Sequence, residues 1–339
     1  MLKTGAFLLL VILAAGCTGL GPDFGSSEIK VSKPVTEGSS NIAVIRDINT
    51  IPTSPVLPSD QVDVSFIVEN TDSQESLKGM TVELYDAASF YNGDTAPAQK
   101  GHYGKLCNIH DVLCLPEGSS CSAEKCELSN LAPGGQKLIN YKLLAPSESS
   151  ILGLSTDMEL RFAVEHDFTA KTTYRPVVVN ADEIKALQRA GQQVSIEAPT
   201  SIGSGPVKLD VSLKNRDFIL NKNRATFEVR ARHTGSGRLS GNVIEAGKLE
   251  VKFIGFSCDE FEEPVGIAFK AAPEGNDCKF TNTENAEFFR QGLSVPMLFI
   301  MKGVDIGTVP QRSYEVAATA DYTYRLTGVV PITVKPAEI

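Results

Sequence analysis

Nowhere does this chain hold an apolar run long enough to cross a membrane as a helix. The longest, residues 6–15, falls well short of the about 20 residues that the hydrocarbon core requires. Clustered lysine and arginine are missing too. The formal net charge of −9 argues against nucleic acid and anionic membrane faces as partners, since both are bound through basic patches. Tryptophan is absent, and no asparagine is followed by x-Ser or x-Thr, which removes N-glycosylation. Histidine is scarce. His102, His110, His166 and His233 are the four, and none belongs to a His-Glu-x-x-His pair or lies near a Gly-x-Ser-x-Gly elbow. Ser27-Glu28-Ile29-Lys30 has Ser-x-x-Lys spacing but stands without its partner motifs, and the glycines at 153 and between 235 and 241 read as turns rather than a phosphate loop. His166 and His233, on strands or strand edges, are expected to face solvent. The chain is therefore expected not to be an enzyme and to carry neither cofactor nor metal.

What is present begins at the N-terminus. Met1 and Lys3 precede the apolar run, and Leu13-Ala14-Ala15-Gly16 sets small residues directly before Cys17. A positive charge, a short apolar stretch and small residues make a secretion signal, and a cysteine at the cut point is the pattern of a lipoprotein. Residues 1–16 are expected to be the signal peptide, with Cys17 lipidated and the protein held on the extracellular face of the cell membrane. Two acyl chains on Cys17 would meet the requirement for durable anchoring. Residues 17–40 are poor in apolar side chains and rich in Gly, Pro, Ser and charges. They read as a flexible tether with a reach of roughly 25 Å.

Six further cysteines fall in two even groups: Cys107, Cys114, Cys121 and Cys126, then Cys258 and Cys278. Even counts downstream of an export signal favour disulfides, and the first group allows three pairings that spacing does not separate. Zinc is the alternative, because His102 and His110 lie close by, but spacings of six, six and four intervening residues lack the tight Cys-x-x-Cys pairs of structural zinc sites. Asp259, Glu260, Glu262 and Glu263 have the oxygen ligands that calcium takes, although a solvated acidic loop beside Cys258 is the favoured reading.

Through the rest of the chain the hydrophobic period is two. Residues 62–68, 80–84, 158–162, 207–213, 227–231, 249–253 and 314–324 alternate apolar with polar side chains, which predicts half-buried strands. One helix is expected after Asn180, with Glu183 completing a capping box, Ile184 and Leu187 on the apolar stripe and Gly191 at the end. An internal repeat accompanies the strands. Phe66-Ile67-Val68-Glu69 matches Phe227-Glu228-Val229-Arg230, and an Asp-aromatic-Thr triplet occurs in both halves, as Asp167-Phe168-Thr169 and Asp321-Tyr322-Thr323. Each triplet strand is expected to be followed by a second strand, at 176–179 and 331–334. The expected fold is all-β: two tandem immunoglobulin-like antiparallel β-sandwiches, residues 41–191 and 192–339, joined by a short connecting helix. Disulfide-bearing insertions interrupt them, at about 86–127 in the first and around Cys258 and Cys278 in the second.

Residues 51–58, the strand 62–69 with Asn70-Thr71, and Gly79-Met80-Thr81-Val82-Glu83-Leu84-Tyr85 resemble CARDB-type and related immunoglobulin-like modules of prokaryotic, especially archaeal, cell-surface proteins. The resemblance covers about the first third of each half, and the cysteine insertions depart from it. It implies a stalk, spacer or adhesive domain with protein partners at the cell surface. Recognition would then sit on inserted loops, and Tyr91, His102, Tyr103 and His110, around the Cys107–Cys126 loop, are the candidate contact residues. Two other functions are compatible with the same residues: a metal- or solute-capturing surface lipoprotein using the Cys/His insertion, and a secreted hydrolase.

Overall fold

Alternation of buried and exposed side chains runs almost without interruption from residue 156 to 174 and from 315 to 334, and each stretch forms one long strand. The protein was analysed as a computed structural model that describes residues 30–87, 90–92, 120–121, 125–128, 130–214, 216–289 and 292–336. Cys17, His102, Tyr103, Cys107, His110 and Cys114 lie outside the described residues, and Tyr91, Cys121 and Cys126 are described only as strand backbone.

The first half contains β1 (Lys30–Ser32), β2 (Val35–Glu37), β3 (Ala43–Ile51), β4 (Gln61–Asn70), β5 (Lys78–Asp86), β6 (Tyr91–Asn92), β7 (Ser120–Cys121), β8 (Lys125–Glu127), β9 (Gln136–Leu144) and β10 (Thr156–Tyr174). β11 (Val177–Val179) and helix α1 (Ala181–Arg189) lead onward to β12 (Ser195–Glu197), β13 (Thr200–Ile202), β14 (Val207–Leu213), β15 (Ile219–Leu220) and β16 (Ala225–His233). The chain continues through β17 (Arg238–Leu239), β18 (Val243–Ile244), β19 (Leu249–Ile254), β20 (Phe269–Glu274) and β21 (Asp277–Asn282). It ends with β22 (Ala286–Glu287), β23 (Met297–Met301), β24 (Gln311–Ser313) and β25 (Glu315–Val334).

The repeat seen in the sequence reappears as strand order. β3-β4-β9 form one sheet in the first half and β14-β16-β23 its counterpart in the second, while β10-β5-β8 and β25-β19-β21 follow one another in the same way. The halves are nevertheless not separate. β10 and β25 pair antiparallel along all of β10, from Thr156↔Val334 to Tyr174↔Val316, so a single eleven-stranded sheet runs through both. One contiguous hydrophobic core likewise extends across the molecule.

Facing sheets meet through aromatic side chains. In the first half the Phe66 ring of β4 stacks on Phe162 of β10 at 3.9 Å, and Phe162 lies over its register partner Gly328, where any Cβ would stand 2.1 Å from the ring. In the second half Phe253 is surrounded by Phe227, Phe261, Phe280 and Phe299 at 4.5 to 5.8 Å. Ring pairs at such separations add stability beyond the area they bury. A disulfide joins Cys258 to the buried Cys278 of β21 beside this cluster.

Three expectations change. Residues 30–37, within the stretch read as a tether, form β1 and β2, which pair in parallel with β12 and β13. Their side chains are mostly exposed, so the segment is held by main-chain hydrogen bonds that hydropathy does not register. The buried ammonium of Lys208 adds to this, donating to the carbonyls of Gly38 (2.7 Å), Ser39 (3.0 Å) and Gly203 (2.8 Å). Residues 331–334 are not a separate strand but the end of β25. Pro331 fits there because β10 flanks that part of β25 on one side only, leaving a position where a missing N–H breaks no ladder bond.

The third change concerns the histidines. His166 is wholly buried, because it shares strand parity with Phe162, Val164 and Phe168, and His233 is half-buried. Helix α1 forms where expected, with the Asn180 side chain accepting from the amide of Asp182 at 3.2 Å and Ile184 buried. Gly191 follows with φ of +75°, the left-handed geometry that ends helices.

Two outcomes follow from these buried groups. Neither ring nitrogen of His166 has a hydrogen-bond partner among the described residues, and burial drives its pKa from 6.5 down to about 4. Between those pH values the unfolded chain binds a proton that the native protein refuses. Native stability should therefore fall as pH drops through that window, by about 3 kcal/mol in full. Urea unfolding at pH 7 and pH 4.5 should show this loss, and His166→Leu should remove most of it. Removing the Cys258–Cys278 bridge, which spans 20 residues, by double substitution to alanine should lower stability by about 3 kcal/mol in the same assay.

Candidate functional site

The two Asp-aromatic-Thr triplets lie directly opposite each other. In the β10–β25 register Asp167 faces Thr323, Phe168 faces Tyr322 and Thr169 faces Asp321, which puts an approximate two-fold axis through the Phe168–Tyr322 pair. Antiparallel strands of like sequence generate this arrangement, because pairing reverses the order of one copy. The Thr323 hydroxyl donates to Asp167 Oδ1 at 2.6 Å, and the Thr169 hydroxyl donates to Asp321 Oδ1 at 2.5 Å. On the opposite face Phe168 and Tyr322 are buried, with ring centroids 6.1 Å apart.

These reciprocal pairs floor a cleft of about 460 Å³, within the range of small-molecule sites. Each half contributes one wall. Lys78 is the register partner of Asp167, and the Lys248 carbonyl accepts from the Asp321 amide at 2.8 Å, so a lysine stands beside each aspartate. Lys171 is engaged by Glu75 at 2.8 Å, whereas the ammonium groups of Lys78 and Lys248 have no partner among the described residues. Gly79 allows Asp167 its position: a Cβ there would stand 2.5 Å from Asp167 Oδ2, and its φ of +54° is left-handed.

Behind the floor lies a buried polar cluster. The Tyr324 ring is 5.8 Å from that of His166 and 5.7 Å from that of His233. The Tyr324 hydroxyl accepts from the Gly237 amide at 2.6 Å and bonds His233 Nε2 at 3.1 Å. Burial pushes the Tyr324 hydroxyl up and His233 down from their ordinary pKa values. The cluster ties β10, β16 and β25 together and does not open into the cleft lining.

Two of the four acidic residues beside Cys258 are engaged by other groups. Glu260 accepts from the Ser257 amide at 2.9 Å, and Glu262 pairs with Arg224 at 2.6 Å. Among the described residues no group of three His, Cys, Asp or Glu side chains is arranged to hold a metal. The axis cleft was not identified from sequence as a site. The triplets were visible as a repeat, but Lys78 and Lys248 carry no pattern that marks them, and only strand pairing brings them to one surface.

No protein-family model matches the chain, and no curated protein matches it. Among solved structures it is similar to the secreted serine protease VesC from Vibrio cholerae, with 9% identity, 82% of this chain and 50% of that one covered, and a TM-score of 0.16. The chain thus spans half the length of that structure. It is also similar to a DUF4466 family protein from Parabacteroides merdae (8% identity, 78% and 99% covered, TM-score 0.20). A third likeness is to CfaE, the CFA/I adhesin of enterotoxigenic E. coli (7% identity, 92% and 99% covered, TM-score 0.14). At TM-scores of 0.20 and below, these likenesses do not extend to a shared fold.

Gly79→Ala is expected to cost about 1–2 kcal/mol from the left-handed backbone alone and to displace Asp167 from Thr323. Chemical denaturation should give a smaller cost for the same substitution in an Asp167→Ala background, where the clash is gone.

Proposed function

We propose that this chain is a lipid-anchored, extracellular, non-enzymatic surface protein whose two halves are tandem immunoglobulin-like β-sandwiches, with a structural or adhesive role toward protein partners. The observation that carries this is the placement of the two ends of the β10–β25 ribbon. β2 pairs with β13, and β13 with residues 172–174 of β10, so the N-terminal segment docks at one end. Leu152 and Leu154, just before the other end of β10, are strongly exposed. Leu57 is exposed next to Val56, which bridges Val334, and Ile51 is exposed at the end of β3. Nineteen strand residues at about 3.3 Å each separate the two ends by roughly 60 Å.

A protein tethered through Cys17 would therefore present its apolar loops away from the point of attachment. Large exposed apolar side chains gathered on loops are characteristic of contact surfaces. Leu152 reinforces this, since it holds a φ of +53° at its loop apex, a conformation that bulky side chains rarely adopt. The two described histidines are taken up by structure, His166 buried without a partner and His233 bonded to Tyr324. The oxidised Cys258–Cys278 pair is consistent with an extracellular setting.

Intact-mass analysis of the protein from its native membrane should show loss of residues 1–16 and a diacylglycerol adduct on Cys17. Photo-crosslinkers at Leu152 and Leu154 on intact cells should capture proteins that a crosslinker at Lys30 does not. Retention of Met1 or an unmodified Cys17 would overturn anchoring. Equal capture from both ends would overturn the assignment of the apolar loops as the contact end.

A further inference from the structure

We infer that the cleft on the approximate two-fold axis is a binding site for a neutral oligosaccharide of at least two units. Its chemistry is the basis. Asp167 and Asp321 each commit Oδ1 to a threonine hydroxyl and keep Oδ2 without a hydrogen-bond partner among the described residues. Lys78 and Lys248 stand to either side with ammonium groups that have no partner among the described residues, and Ser76 and Ser240 add hydroxyls at the rim. Acceptors at the centre, with ammonium, hydroxyl and carboxylate groups (Glu75 and Glu245 among them) along the walls, suit a ligand whose groups both donate and accept. A sugar hydroxyl does this, giving its proton to a carboxylate while receiving one from an ammonium.

Other ligand classes fit less well. A small anion would meet the paired carboxylates of the floor, and a metal ion finds no three-ligand group among the described residues. A peptide is recognised through an unpaired sheet edge or apolar side-chain pockets. Here the floor lies within a sheet: β10 and β25 pair along all of β10, β5 flanks β10 up to Asp167 and β13 from Thr172, and β25 is flanked by β19 up to Ala320 and by β17 at Tyr324 and Arg325, so only short stretches of edge are open.

The repeat defines the length of the ligand. Lys78 with Asp167 and Thr323 makes one half-site, and Lys248 with Asp321 and Thr169 makes the other. Two half-sites in about 460 Å³ accommodate one sugar ring each. Phe168 and Tyr322 belong to the cleft lining, but both residues are buried, so little ring surface is offered for stacking. Recognition rests on hydrogen bonds in contact with solvent, and binding is weak for a single site. Neither membrane anchoring nor the apolar loops enter into it.

Ligand-observed NMR with the full chain and a panel of maltose, cellobiose, lactose and chitobiose tests this, with inorganic phosphate and calcium chloride as contrasting probes. Saturable binding of at least one disaccharide is expected. It should weaken at least tenfold in the Asp167→Asn, Asp321→Asn double variant and in the Lys78→Met, Lys248→Met double variant, while phosphate and calcium fail to displace the disaccharide. The lysine variant keeps the test standing if the aspartate variant fails to fold, because those ammonium groups hold nothing among the described residues. Absence of saturable binding across the panel, binding unaltered in the lysine variant, or binding of phosphate or calcium at these residues would each overturn the assignment.

Discussion

Pairing of β10 with β25 is the constraint on which the rest of the molecule depends. These two strands belong to different halves of the chain, yet they are hydrogen-bonded along 19 successive positions. Leu160, Phe162 and Val164 of β10 and Leu326, Val330 and Ile332 of β25 are buried at one end of the ribbon. Ala170, Val316, Ala318 and Ala320 are buried at the other. Each half thus packs against a ribbon that its partner completes. The arrangement also removes a free edge from each strand, and unpaired edges invite aggregation.

Polar groups buried near the ribbon's centre are unevenly satisfied. Lys208 is fully buried but spends its ammonium on three carbonyls, which joins the N-terminal segment and the 203 turn to β14. Asn70 and Asn282, both buried, cross-link loops in the two halves through backbone partners: Asn70 donates to Glu75, Leu131 and Ala132, and Asn282 to Glu245 and Glu284. His166 has no such compensation, and an uncompensated buried imidazole makes the native state sensitive to acid. The ribbon is therefore both the strongest mechanical link between the halves and the place where protonation acts on both at once.

Much of this was legible before any coordinates. Period-two alternation located β4, β5, β16 and β19 because these strands are buried mainly on one face, and it located β14 although Lys208 is buried there too; side-chain alternation is the direct record of that geometry. Asn180 and Gly191 marked the limits of the helix through local hydrogen-bonding and backbone rules. The Cys258–Cys278 pair followed from count and compartment. The burial of His166 was also available in principle, since it is in phase with Phe162, Val164 and Phe168, but a polar residue at an inward position overrides the usual expectation for histidine. β1 and β2 left little trace, because a strand held by its main chain needs no apolar pattern.

By itself the sequence determined an all-β chain with two related halves, for each strand's own side chains carry the information about which face is buried. It also marked the Asp-aromatic-Thr triplets as related, without indicating that they would meet. Only the tertiary structure decided that the two halves share one sheet, that the triplets lie opposite each other, and that Lys78 and Lys248 border one cleft. Those relations join residues up to about 180 positions apart, and register between distant strands is set by the packing of the whole core rather than by any local signal.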